Sequence, residues 1–141
     1  MQAEQIDIRA IRAEMLPDAF EVLRELRQDL DYPTFLARYG RQSEYGYCLY
    51  GAYEGDSIVG VIGMRAVETM ARGKHLHVDD LVVTSQQRNK GIGRRLIAFA
   101  ERFATEHDLA SIFLDSRKEV IAFYEAIGFS PHTAVLLRKK L

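Results

Sequence analysis

The segment Ile6-Asp7-Ile8-Arg9-Ala10-Ile11 alternates apolar and polar side chains, the period of a β-strand. From Pro17 the period changes: Phe20, Leu23, Leu26 and Leu30 recur at near-helical spacing, and the proline suits a first helical turn. A second helix is expected from Pro33 through Phe35, Leu36 and Tyr39. Residues 47–53 and 57–64 read as two strands joined by the turn Glu54-Gly55-Asp56. A further hairpin through Ala71-Arg72-Gly73 leads into a strand ending at Val83. An amphipathic helix follows over residues 91–107, then a short apolar strand at 110–114. Next come a helix at 120–127 that stops at Gly128-Phe129 and a closing strand near 134–138. This order predicts one α/β domain over residues 1–141, a sheet with helices on both faces.

Composition narrows the class without changing that picture. The chain has 141 residues, enough for one core, with 48% hydrophobic and 28% charged residues, ordinary for a water-soluble globule. A net charge of −1 argues against broad nucleic-acid or anionic-membrane binding. Residues 1–12 mix acids and bases with no apolar block, so no signal peptide is expected. The uncharged run at residues 45–53 is far below the ~20 needed to span a bilayer. A single cysteine, Cys48, allows no internal disulfide and suits a reducing cytoplasm.

The most informative stretch is Arg88-Asn89-Lys90-Gly91-Ile92-Gly93-Arg94, between Leu81-Val82-Val83 and the amphipathic helix. Glycines let backbone N–H groups approach a ligand, and a helix start leaves such groups unpaired with a partial positive charge. Arg88, Lys90, Arg94 and Arg95 add formal charge around the same point. Together these describe a cradle for a diphosphate or larger anion. It is not a dinucleotide fingerprint, because Leu96 replaces the third glycine, nor a P-loop, because no hydroxyl follows Lys90.

The pattern Arg-x-x-Gly-x-Gly after Leu-x-Val resembles the coenzyme A pyrophosphate loop of the GNAT acetyltransferase superfamily. Downstream, Phe123-Tyr124-Glu125-Ala126-Ile127-Gly128-Phe129 is similar to the segment that carries the catalytic tyrosine of those enzymes. The resemblance is strong over residues 74–129 and rests on element order before them. It implies a single-domain GNAT-like fold with a mixed, mostly antiparallel central sheet flanked by helices on both faces. It also implies acetyl-CoA as acetyl donor, bound through Leu81, Val82, Val83, Arg88, Asn89, Lys90, Gly91, Ile92, Gly93 and Arg94. In the family the strand carrying Leu81, Val82 and Val83 is splayed from its neighbour, placed here after Gly128, freeing backbone groups for the pantetheine arm.

Acetyl transfer to an amine needs a held donor, a neutral amine, a stabilised oxyanion and a proton for the departing thiolate. By resemblance Tyr124 supplies that proton. Arg117 stands where many members have asparagine, and it could reach cofactor, a substrate carboxylate or solvent. For the base, strand alternation puts His75, His77 and Asp79 on one face, with Asp80 on the other, so that at most one of Asp79 and Asp80 reaches the site. Family members place a Glu or His eleven or nine residues before the motif arginine, which selects His77 and Asp79. Either could be the base, or both could merely line the sheet. His-x-His-x-Asp is also a conceivable metal set, but no fourth ligand is evident and none is expected. Cys48, in an apolar strand, reads as core. Asp31, Glu44, Glu68 and Asp79 would suit a cationic acceptor.

The function expected is transfer of acetyl from acetyl-CoA to a primary amine by direct attack on the thioester. The alternative is a catalytically idle acyl-CoA-binding sensor or interaction domain. The acceptor is a small-molecule amine or a protein or peptide amine, without nucleic acid or membrane, and a homodimer is the assembly to test.

Overall fold

The computed structural model describes residues 5–141, so the first four residues of the N-terminal stretch and of the expected domain lie outside it. Five strands form one sheet in the order β1-β2-β3-β4-β5: Ile6–Ala10, Tyr47–Glu54, Ser57–Thr69, Gly73–Val83 and Ile112–Leu114. The first four pair antiparallel, and β5 joins β4 in parallel, giving the expected mixed, mostly antiparallel sheet.

Helices α1 (Leu16–Leu23) and α2 (Tyr32–Ser43) cover one face. Pro17 sits in the first turn of α1, where its missing N–H costs nothing, and Ala19, Phe20, Val22 and Leu23 are buried. They pack with Phe35, Tyr47, Leu49, Val61 and Val82. Helix α1 ends at Leu23, earlier than the apolar spacing suggests, so Leu26 and Leu30 pack from the connection that follows. Asp31 caps α2, accepting from the Thr34 backbone N–H at 2.8 Å, and that bond holds its carboxyl below the usual range. Its part is to start a helix rather than to meet a cationic acceptor.

The other face packs on α3 (Ile92–Glu106), whose Ile92, Leu96, Ala100 and Ala104 form a stripe of i, i+4 repeats. This stripe meets Ile62, Met64, Leu76 and Val78. A short helix α4 (Ile121–Ala126) follows β5.

Three expectations fail here for identifiable reasons. Residues 134–138 form no strand, because nothing in the described chain pairs with them and Val135, Leu136 and Leu137 stay exposed. The neighbour that diverges from β4 is β5, before Gly128 rather than after it. Finally, β4 does not alternate throughout. The register between β3 and β4 shifts from Gly63↔Asp80 to Met64↔Val78, leaving Asp79 as an extra, bulged residue. Asp79 and Asp80 therefore line the same cavities instead of opposite faces.

Candidate active site

Strands β4 and β5 pair at only three positions, Leu76↔Ile112, His77↔Phe113 and Val78↔Leu114. Beyond Val78 they part, and residues 79–83 keep β3 on one edge only. The opening is a cleft of about 630 Å³ lined by Leu81, Val82 and Val83 along one side and by Leu114, Arg117, Val120, Phe123 and Tyr124 along the other. Its far end is the glycine loop, with Arg88, Asn89, Gly91, Ile92, Gly93 and Arg94 in the wall. Lys90 is the one loop residue of this set outside the lining; its Nζ donates to Gln87 Oε1 at 3.3 Å.

Gly91 is the residue before the first turn of α3 and adopts φ 81°, a left-handed conformation that costs an L side chain about 1–2 kcal/mol. No side chain caps α3, so its leading N–H groups remain for an anion. Arg88 is already placed, with Nε donating to the Val83 carbonyl at 3.1 Å and its guanidinium 3.5 Å from Glu25. Glu25 also accepts from Thr84 Oγ1 at 2.8 Å and from the Ser85 N–H at 3.0 Å, tying the end of β4 to the turn after α1. The residues present therefore fit a diphosphate at α3 and an extended arm along β4.

At the inner end, Tyr124 is half-buried between Phe123 and Phe129, at ring separations of 5.0 and 5.6 Å. Burial raises its phenol pKa and the Arg117 charge works against that, so the proton stays on at neutral pH. Arg117 thus lies in the cleft with Tyr124.

Beside Tyr124 stands a chain of polar contacts. Arg65, opposite His77 in the sheet, grips Asp79 with Nε at 2.6 Å and a terminal nitrogen at 2.8 Å. The same carboxylate meets His77 Nδ1 at 3.1 Å. Burial pushes Asp79 up, but the hydrogen bonds from His77 and Arg65 and the Arg65 charge outweigh it and hold the carboxyl at about 2. An ionised carboxylate only accepts, so Nδ1 carries the hydrogen and a neutral His77 presents a bare Nε2. That nitrogen lies 3.9 Å from Asp115 Oδ2, too far for a hydrogen bond. Asp80 is held separately by Tyr47 Oη at 2.7 Å and Arg27 Nε at 2.9 Å, and Arg27 also donates to the Asp79 carbonyl at 2.7 Å.

Two further cavities reach this point. One of about 800 Å³ lies against α1 and α2 and includes Asp79, Asp80 and Asp115. Another of about 950 Å³, beside β5, includes His77, Asp115 and Tyr124. Asp115, just past β5, borders all three. Glu44 and Glu68 border none of them. His75 does not converge with His77 and Asp79: it is buried, meets Phe113 edge-on at 5.2 Å, and pairs through Nδ1 with the Gly73 carbonyl at 2.9 Å. Among the described residues no group of three or more His, Cys, Asp or Glu is placed to hold a metal. Cys48 is half-buried rather than core, and burial pushes its thiol up.

Sequence reasoning missed Glu25, Arg27, Tyr47, Arg65 and Asp115. Arg65 carried a faint signal, since extending the predicted 57–64 strand by one residue puts it opposite His77. The others act across long separations in the chain that no local pattern encodes.

A mixed sheet that parts over a glycine-loop helix, with a protonated tyrosine at the inner end, is the architecture that the resemblance to the GNAT acetyltransferases implies. The model of the acetyltransferase (GNAT) family matches residues 8–129, and the chain belongs to that family. It is 33% identical over 119 residues to the uncharacterized N-acetyltransferase YhdJ of Bacillus subtilis (strain 168), covering 80% of this chain and 83% of that one. It is 30% identical over 77 residues to a glucosamine 6-phosphate N-acetyltransferase of Trypanosoma brucei brucei, covering 53% of this chain and 52% of that one. Its fold matches a soil-metagenome aminoglycoside acetyltransferase solved with sisomicin at TM-score 0.84, over 100% and 99% of the two chains at 16% identity.

Proposed function

We propose that this chain moves an acetyl group from acetyl-CoA to the primary amine of a small polar molecule by direct attack on the thioester. The observation that carries the reading is the continuous cleft from the α3 glycine loop to Tyr124, which opens beside the His77–Asp79–Arg65 contact. The relative named for glucosamine 6-phosphate supports a small-molecule amine over a protein one.

The pyrophosphate sits on the N–H groups at the start of α3, with Arg88 and Arg94 supplying charge. The pantetheine arm follows the free backbone edge of Leu81, Val82 and Val83, which places the thioester near the point where β4 and β5 part. The amine enters from the cavity against α1 and α2, past Asp79, Asp80 and Asp115. Its nitrogen attacks the carbonyl carbon, the N–C bond forms, and the C–S bond breaks. His77 Nε2 takes the nitrogen's proton directly or through a water, and Tyr124 Oη gives its proton to the thiolate. Asp79, held near a pKa of 2, is too weak a base and instead fixes the His77 tautomer. A proton passed from the amine side restores the phenol. No helix among the described residues is long and apolar enough to cross a membrane, and the reading places the reaction in the cytoplasm.

The test is to incubate the pure protein with acetyl-CoA and a panel of amines while following free thiol. Amine-dependent thiol release supports the reading. Tight acetyl-CoA binding with no turnover on any amine would leave a binding module instead.

A further inference from the structure

Asp79 is the extra residue of the β4 bulge, so no ladder partner in β3 fixes it. Two arginines from elsewhere do. Arg27, beyond the end of α1, donates to its backbone carbonyl at 2.7 Å. Arg65, on β3, takes its side chain with two nitrogens, Nε on Oδ2 at 2.6 Å and a terminal nitrogen on Oδ1 at 2.8 Å. That Oδ1 is also the partner of His77 Nδ1 at 3.1 Å. A planar fork on both oxygens fixes the plane of a carboxylate as well as its place, which a single donor does not. Arg65 itself borders none of the three cavities that meet at Asp115. It lines a separate one of about 320 Å³ with Arg41, Gln42 and Tyr45, so it stands behind Asp79 and reaches the reaction only through that side chain.

We propose that Arg65 is the positioning residue that makes His77 the base: its fork holds the Asp79 carboxylate so that Oδ1 accepts from His77 Nδ1 and Nε2 stays bare toward the amine. Asp79 is only half-buried, so without the fork its carboxylate is free to turn to solvent. A neutral imidazole left to itself carries its hydrogen mainly on Nε2. In that form Nε2 is a donor and cannot take a proton from the amine. Arg65 therefore selects the tautomer on which the proton transfer depends, from a place that touches neither donor nor acceptor. The tautomer is a property of the protein alone; its effect on turnover rests on the proposed function.

Long-range proton–nitrogen correlation NMR, recorded above the range where imidazoles titrate, locates the ring hydrogen, and His77→Gln identifies the His77 signals among the four histidines. The wild type should carry the hydrogen on Nδ1. Arg65→Gln should move it to Nε2 in a large fraction of molecules and lower kcat by about tenfold or more, with acetyl-CoA affinity unchanged. Arg65→Lys keeps the charge without the fork and should show part of the same shift, which covers the case in which Arg65→Gln does not fold by circular dichroism. In an Asp79→Asn background Arg65→Gln should cost little further turnover, because its route to the ring is gone. A wild type with the hydrogen on Nε2, a folded Arg65→Gln that keeps it on Nδ1, full restoration by Arg65→Lys, or an equal loss in both backgrounds overturns the proposal. The NMR arm needs neither acetyl-CoA nor amine. A tautomer shift in a protein that turns over no amine counts against the proposed function and leaves the positioning role standing.

Discussion

Replacing Gly63 with alanine should disrupt the polar side of the site from within the sheet. Gly63 pairs with Asp80 across β3 and β4, next to the bulge that carries Asp79. A Cβ built there would come within 2.5 Å of Tyr47 Cζ and 2.8 Å of Cε1, closer than side chains approach. The Tyr47 ring is buried, and its hydroxyl donates to Asp80 at 2.7 Å. Burial first, then the Asp80 charge and hydrogen bond, raise the phenol's pKa, so the donor keeps its proton. Forcing the ring aside loses a hydrogen bond to a charged acceptor, about 1.5–3 kcal/mol, and adds overpacking of about 1–3 kcal/mol. A total of about 2.5–6 kcal/mol should lower Tm by roughly 8–20 °C for a domain of this size. Thermal and urea unfolding of Gly63→Ala, with and without Tyr47→Ala, isolates the contact as a double-mutant cycle. In the Tyr47→Ala background the added methyl should cost little. An equal cost in both backgrounds, or a cost below about 1 kcal/mol in the wild type, would refute the reasoning.

Gly91→Ala places a side chain on a left-handed residue at the head of α3; relief of about 1–2 kcal/mol by shifting the loop should weaken acetyl-CoA roughly tenfold in calorimetric titration, and unchanged affinity would argue against the cradle. Glu25→Ala removes the acceptor shared by Thr84, Ser85 and Arg88, so acetyl-CoA affinity should fall by about tenfold although Glu25 lies outside the cleft lining; wild-type affinity would contradict that bracing role. Asp79, held at about 2 against an ordinary value of 3.8, stabilises the fold fully above pH ~4, and that stability is lost as pH falls toward 2. At about 1.36 kcal/mol per pH unit the effect is at most ~2.5 kcal/mol, and a side chain 22% exposed brings it to about 1–2 kcal/mol, so Asp79→Asn should flatten the acid limb of stability against pH by that amount. An unchanged acid limb in the variant would show that other carboxylates set it.

The glycine loop and the helix after it are legible in the sequence because their signals are local. Two glycines, a run of basic residues and a 3.6-residue apolar stripe fall within about twenty positions, and α3 begins and ends within a residue of the expected bounds. The polar cluster around Asp79 is not, because register is a property of pairs of strands. The bulge at Asp79 exists only through its pairing with β3, so counting by twos along β4 sent Asp80 to the wrong face. Arg65 and Tyr47 join the site across 14 and 33 positions in the chain, separations that leave no periodic trace. The expected closing strand near 134–138 does not form, because a strand needs an edge to join and none of the described residues pairs with this run.

The central claim, that the amine's proton leaves through His77 and the thiolate is protonated by Tyr124, is tested most directly by pH profiles of turnover on an active acceptor. Wild type, His77→Gln and Tyr124→Phe are compared, with acetyl-CoA affinity measured in parallel. The account predicts that kcat/KM of the wild type rises with pH through the range where imidazoles titrate and that His77→Gln loses this limb. Tyr124→Phe should bind acetyl-CoA normally but turn over about 10²-fold more slowly. Wild-type turnover in Tyr124→Phe, together with an intact acid limb in His77→Gln, would contradict it.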